Sequence, residues 1–217
     1  CAAAYKVRKA QALATPADVE TGVRLAREAL DAHRDDPDTL AEASHSIAFL
    51  GFEYDHALYG VERALAINPN STYALNASGW VRLYVGDATG AIEHFLRAHR
   101  LNPLDPTLGA MYSGLSIAYL ILDDDAQALR YAALAQQLGL SPANDGVTAL
   151  VALRERRWDD ARRLFRQQDV PETLQPLVDR WIDAVADPSQ RPAIVAAMRA
   201  LEARLIGEQQ ALEARLA

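Results

Sequence analysis

Short amphipathic stretches alternate with polar breaks along this chain, and residues 72–106 show the pattern most clearly. Two amphipathic halves flank Val85-Gly86-Asp87, and Asn102-Pro103 closes the second half. Ala91, Phe95 and Ala98 fall at i, i+4 and i+7, on one face of a helix. Pro103 cannot continue that helix. Gly86 suits the left-handed residue that ends the preceding helix, and Gly79 suits a point where two helices approach closely. The pattern predicts a helical hairpin with one apolar face, a unit that needs neighbours on either side.

The rest of the chain supplies them. Thr15-Pro16-Ala17-Asp18 reads as a helix start, with Val23, Ala26, Ala29 and Leu30 on one face of the helix that follows. Hairpins are predicted over 39–50 and 54–67 with a turn at Gly51, over 107–122 and 126–138 with a turn at 123–125, and over 143–154 and 158–167. From Pro171 the pattern changes to two helices, 171–186 and 192–217, split by Asp187-Pro188. The alanines that open the second helices, Ala57, Ala91, Ala128 and Ala161, are 34, 37 and 33 residues apart. A helix–turn–helix repeat of about 34 residues is the tetratricopeptide signature. The expected fold is therefore all-α: a tetratricopeptide-type α-solenoid of four to five hairpins over 1–170, with helices over 171–217 that cap it or pair two chains. Arg82 stands where the repeat usually has an aromatic residue, and residues 104–106 are the expected site of three extra residues.

The order of motifs carries a narrower resemblance. Ala48-Phe49-Leu50-Gly51, Arg63-Ala64-Leu65-Ala66-Ile67-Asn68-Pro69-Asn70-Ser71 and Ser78-Gly79-Trp80-Val81-Arg82-Leu83-Tyr84 form one block. Ala91-Ile92-Glu93-His94-Phe95 and Leu101-Asn102-Pro103-Leu104-Asp105-Pro106 continue it. Over about residues 5–165 the chain resembles the C-terminal tetratricopeptide region of bacterial class III adenylate/guanylate cyclase-like proteins, a region also found behind winged-helix regulators. The resemblance implies a regulatory interaction module of a signalling protein. It implies no catalytic residue here, because that family's catalytic apparatus lies in a preceding domain.

Composition agrees with helix. Alanine and leucine dominate, and half the residues are hydrophobic. A net charge of −7 argues against a nucleic-acid-binding face. No apolar run approaches the roughly 20 residues of a membrane span. The lone cysteine, Cys1, suits either the lipidated start of a bacterial lipoprotein or an interior helix residue of a longer chain, so the expected location is cytoplasmic, with a lipid-anchored periplasmic alternative.

Candidate chemistry is sparse. The histidines His33, His45, His56, His94 and His99 form no metal-binding motif, and Asp123-Asp124-Asp125 lacks the alternate ligands of a calcium loop. The arginines around Trp158 are interleaved with Glu155, Asp159 and Asp160, as on a salt-bridged helix face. Neither a nucleophile–base set nor a phosphate loop stands out, so no enzyme activity and no cofactor are expected. The first helices of such a solenoid line its concave face. Asn76, Trp80 and Tyr84 share one helical stripe, and the matching positions one repeat earlier are Ala41, His45 and Phe49. One repeat later they are Ser113, Ile117 and Ile121. Aromatic rings with an amide suit capture of a protein or peptide segment, and the same rings also suit packing between hairpins. Binding through Asn76, Trp80, Tyr84, His45 and Phe49 is the leading expectation. A small-molecule-sensing domain is the alternative of another class, and a lipid-anchored periplasmic assembly factor is the third reading if Cys1 is the mature N-terminus.

Overall fold

The computed structural model describes residues 2–4, 6, 15–32, 35–139 and 142–166, and the regular elements among them are all helices. The expected boundary at residue 170 and the helices beyond it lie outside this set. The chain divides into two compact units, Cys1–Asn144 and Asp145–Ala217.

In the first unit α1 (Pro16–Ala32) precedes three hairpins. These are α2 (Pro37–Gly51) with α3 (Tyr54–Ile67), α4 (Thr72–Tyr84) with α5 (Ala88–Leu101), and α6 (Leu108–Ile121) with α7 (Asp125–Gln137). Their starts are written in the sequence. Ser71, Asp87 and Asp124 each accept a hydrogen bond from the backbone N–H three residues on, and Asp36 caps α2 through Asp38 N–H. Each cap is worth on the order of 1 kcal/mol. Asp87 also takes an ion pair from Arg82 at 2.7 Å; with the Gly90 N–H bond as the larger cause, this holds its carboxyl below the usual range.

Each hairpin turns through one left-handed residue. These are Phe52 (φ 57°), Gly86 (φ 83°) and Asp123 (φ 59°), and Arg156 (φ 61°) repeats the pattern in the second unit. Their spacing, 34, 37 and 33 residues, is the spacing of the helix-opening alanines. The turn expected at Gly51 is thus displaced. Gly51 remains helical, and a Cβ there would meet Val23 Cγ2 at 3.0 Å, so its smallness serves the contact with α1. Phe52 takes the left-handed conformation instead, which costs a non-glycine residue roughly 1–2 kcal/mol.

The second helices of the first two hairpins each pack on their own first helix and on the next one: α3 on α2 and α4, α5 on α4 and α6. The first helices also pack on one another, α2 on α4 and α4 on α6, whereas the second helices make no comparable contact among themselves. A layer whose successive helices touch is the short, inner layer of a solenoid. Between the layers Phe95 is fully buried with Leu75, Ala91, Ala98, Met111 and Leu115. A Cβ at Gly79 or at Gly114 would lie 2.5 Å from the Phe95 ring, so two glycines from successive repeats clamp one phenylalanine. The earlier core is finer-grained, with Ala41, Ala48, Ala57, Ala64, Ala74 and Ala77 around Leu40, Val61 and Val81.

In the second unit α8 (Pro142–Arg154) and α9 (Trp158–Arg166) bury Ala152, Leu153 and Ala161 with Trp158 packed against them. Three arginines of that stretch are paired: Arg157 with Glu155 and Asp160, Arg163 with Asp160 and Arg162 with Asp159.

Candidate functional site

His45 and Phe49 lie one turn apart on α2, and Trp80 and Tyr84 lie one turn apart on α4. Contact between α2 and α4 brings the four rings together. The His45 ring is 6.3 Å from Trp80 with the planes only 6° apart, and 5.9 Å from Tyr84. Phe49 lies 6.3 Å from Tyr84 and 6.5 Å from His45, and Trp80 is 6.2 Å from Tyr84. All four are half-buried. Trp80 also meets Phe95 edge-on at 5.7 Å, so its inner edge belongs to the core while the rest joins the wall.

Asn76 is half-buried in the same stripe, but its amide is engaged elsewhere. Its Nδ2 donates to Thr107 Oγ1 at 3.0 Å, and its Oδ1 is buried without a partner. Thr107 O–H in turn donates to Asp105 Oδ1 at 2.6 Å. One repeat on, the stripe becomes aliphatic, with Ser113 buried, Ile117 half-buried and Ile121 exposed.

Beneath the rings lies a polar network that the sequence did not reveal. Lys6 Nζ is 2.7 Å from Glu42 Oε1 and 3.1 Å from His45 Nδ1. Tyr73 and Ser46 donate hydroxyl hydrogen bonds to the same Glu42 carboxylate. His45 Nε2 lies 3.2 Å from the Tyr84 hydroxyl oxygen. Burial, and then the Lys6 charge, push the His45 imidazole down to about 3, against a weaker opposing pull from Glu42. Burial by itself would raise the Glu42 carboxyl, yet the Lys6 charge and the three hydrogen bonds hold it below its ordinary value. Burial also raises the Tyr84 phenol. Lys6 is 39 residues from His45, and helical periodicity alone cannot pair positions so far apart. Glu42 was within reach of sequence reasoning, since it lies three residues before His45 and so shares its face.

Among the described residues no group of three or more His, Cys, Asp or Glu side chains is placed to hold a metal. No described helix is long and apolar enough to cross a membrane. A cavity of about 360 Å³ between α1, α2 and α3 is lined by Leu30, Leu40, Ile47 and Tyr59, with Arg27 and Arg63 at its polar side. Arg27 is held by Glu53, and Arg63 lies 4.0 Å from Asp35.

No protein-family model matches the chain, and no curated protein matches it in sequence. Among solved structures it is similar to pilF of Pseudomonas aeruginosa, a tetratricopeptide-containing protein. The TM-score is 0.61 and the identity 20%, with 92% of this chain and 91% of that one covered. The fold is a tetratricopeptide-type α-solenoid. At this identity the likeness speaks for the fold alone.

Proposed function

We propose that the chain is a non-catalytic protein-interaction scaffold and that the wall of His45, Phe49, Trp80 and Tyr84 takes an extended segment of a partner protein. The observation that carries this reading is four rings from two successive first helices, packed on each other yet not closed off from solvent. They stand on the inner layer, next to a core built largely of alanine. Large amphipathic rings at such a place are the residues that dominate binding energy at interfaces. A regulatory role beside an effector domain of a signalling protein extends this reading and rests on the sequence resemblance.

The test uses a chain in which Trp158 and Trp181 are replaced by Phe, so that Trp80 alone reports. Trp80 fluorescence is expected to be partly open to a soluble quencher in the free protein. It should become shielded when a binding segment is added from an immobilised library of extended peptides. Trp80→Ala should weaken that binding by roughly 2 kcal/mol or more. A Trp80 fully shielded in the free protein would sink the reading and leave the ring as packing between repeats.

A further inference from the structure

The hydrogen-bond chain under the wall has a fixed direction. A lysine ammonium donates and cannot accept. Lys6, ion-paired to Glu42, therefore donates to His45 Nδ1. An imidazole that accepts at Nδ1 carries its proton on Nε2. His45 Nε2–H must then donate to the Tyr84 oxygen, the group 3.2 Å away. Tyr84 is left with one proton to give, and no second described partner of its hydroxyl takes it. We infer that Lys6 and His45 fix Tyr84 as a hydrogen-bond donor, so that the partner segment offers a neutral carbonyl acceptor at Tyr84, next to an apolar group seated against Phe49 and Trp80. A cationic side chain is excluded there, because Glu42, the nearby carboxylate, is already taken by Lys6 and the Tyr84 hydroxyl, whose oxygen accepts from His45, has only a proton left to offer.

This inference rests on the wall being the docking surface, and it assigns Lys6 and His45 as positioning residues that set what the wall selects. It agrees with the local charge: Lys6 and Glu42 neutralise each other, and the rings add no charge.

The direction is tested first without any partner. Long-range nitrogen–proton NMR, with the His45 signals assigned by their loss in His45→Gln, should show the Nε2–H tautomer in the free protein at neutral pH. An Nδ1–H tautomer or a protonated ring overturns the inference and leaves the wall reading standing. The selection is tested with two small probes of equal ring size. N,N-dimethylbenzamide carries an acceptor only, and benzylammonium carries donors only. In the Trp158→Phe, Trp181→Phe background the amide should perturb Trp80 and Tyr84 signals at a concentration roughly tenfold lower than the ammonium, the effect of one unmade hydrogen bond at a partly buried site. Tyr84→Phe, which keeps the ring, should abolish that preference. Lys6→Met should shift it toward the ammonium, which can then reach Glu42. Equal binding of both probes by the wild-type chain overturns the inference alone. A wall that takes neither probe overturns the inference together with the docking reading beneath it.

Discussion

Helix α4 has two faces that use aromatic residues in opposite ways. On one, Gly79 admits the Phe95 ring so closely that a methyl group in its place would overlap it, and Phe95 is wholly buried. On the other, Trp80 and Tyr84 meet rings from α2 at centroid distances near 6 Å, and all of them are only half-buried. The first contact excludes water and fixes how α4, α5 and α6 nest. The second keeps large ring surface at the inner layer, where a charged network adjoins the alanine-rich core. Burial of similar residues stabilises the fold in one case and leaves recognition surface in the other. What separates them is the size of the opposing residue: two glycines face Phe95, whereas rings face rings.

The largest test of the contrast is Phe95→Ala. A ring enclosed between two helices leaves a cavity that the clamp cannot close, and a loss of about 3–5 kcal/mol is expected in denaturant unfolding. A loss below about 1 kcal/mol would mean that the ring is not enclosed. Gly79→Ala approaches the same contact from the other side. Its Cβ would stand 2.5 Å from a ring carbon, so overpacking of roughly 1–3 kcal/mol is expected. Combined with Phe95→Leu, it should cost clearly less than the sum of the two, because the residues touch. Full additivity would separate Gly79 from Phe95.

The wall face is tested by pH. His45 is neutral in the fold down to about 3, while its ordinary value is 6.5. Between those values the unfolded chain binds a proton that the folded chain does not. Stability contributed by neutral His45 is therefore complete above about pH 6.5 and is lost as the pH falls toward 3, by up to about 1.4 kcal/mol per unit. His94, whose imidazole is also lowered by burial and then by Arg82, adds a loss of the same sign. His45→Gln should flatten the curve in this window while leaving the slope from His94. An unchanged slope would place the His45 ring in water.

Much of the dry face could be read from the chain. Ala91, Phe95 and Ala98 follow the helical period, and Gly79 stands where that period brings two helices together. The left-handed turns were harder, because only Gly86 carries the residue that favours them. Phe52 and Arg156 take the same conformation under the constraint of the repeat, with nothing in their own chemistry to mark them, whereas Asp123 is of a type that tolerates it. Gly51 misled for the complementary reason: its lack of a side chain serves space against Val23 and not conformation. On the wall, periodicity placed His45, Phe49, Trp80 and Tyr84 on matching stripes. The polarity of the wall comes from Lys6, whose pairing with Glu42 and His45 exists only once the helices have packed.

The smallest expected effect belongs to Asn76, and it marks where the wall ends. Asn76 follows the stripe of Trp80 and Tyr84, yet its amide spans to Thr107 at the start of α6. Asn76→Ala removes that bond, worth roughly 0.5–1.5 kcal/mol, and also removes a buried oxygen with no partner, whose burial costs on the order of 1–3 kcal/mol. The two terms oppose each other. The expected change in stability is within about 1 kcal/mol, in either direction. The informative readout is therefore Trp80. If the rings alone make the wall, Asn76→Ala leaves both the quenching of Trp80 and the capture of a peptide segment as they are in the parent chain. A severalfold loss of capture at unchanged stability would put the amide into the recognition surface, and the wall would then run on past the rings toward α6.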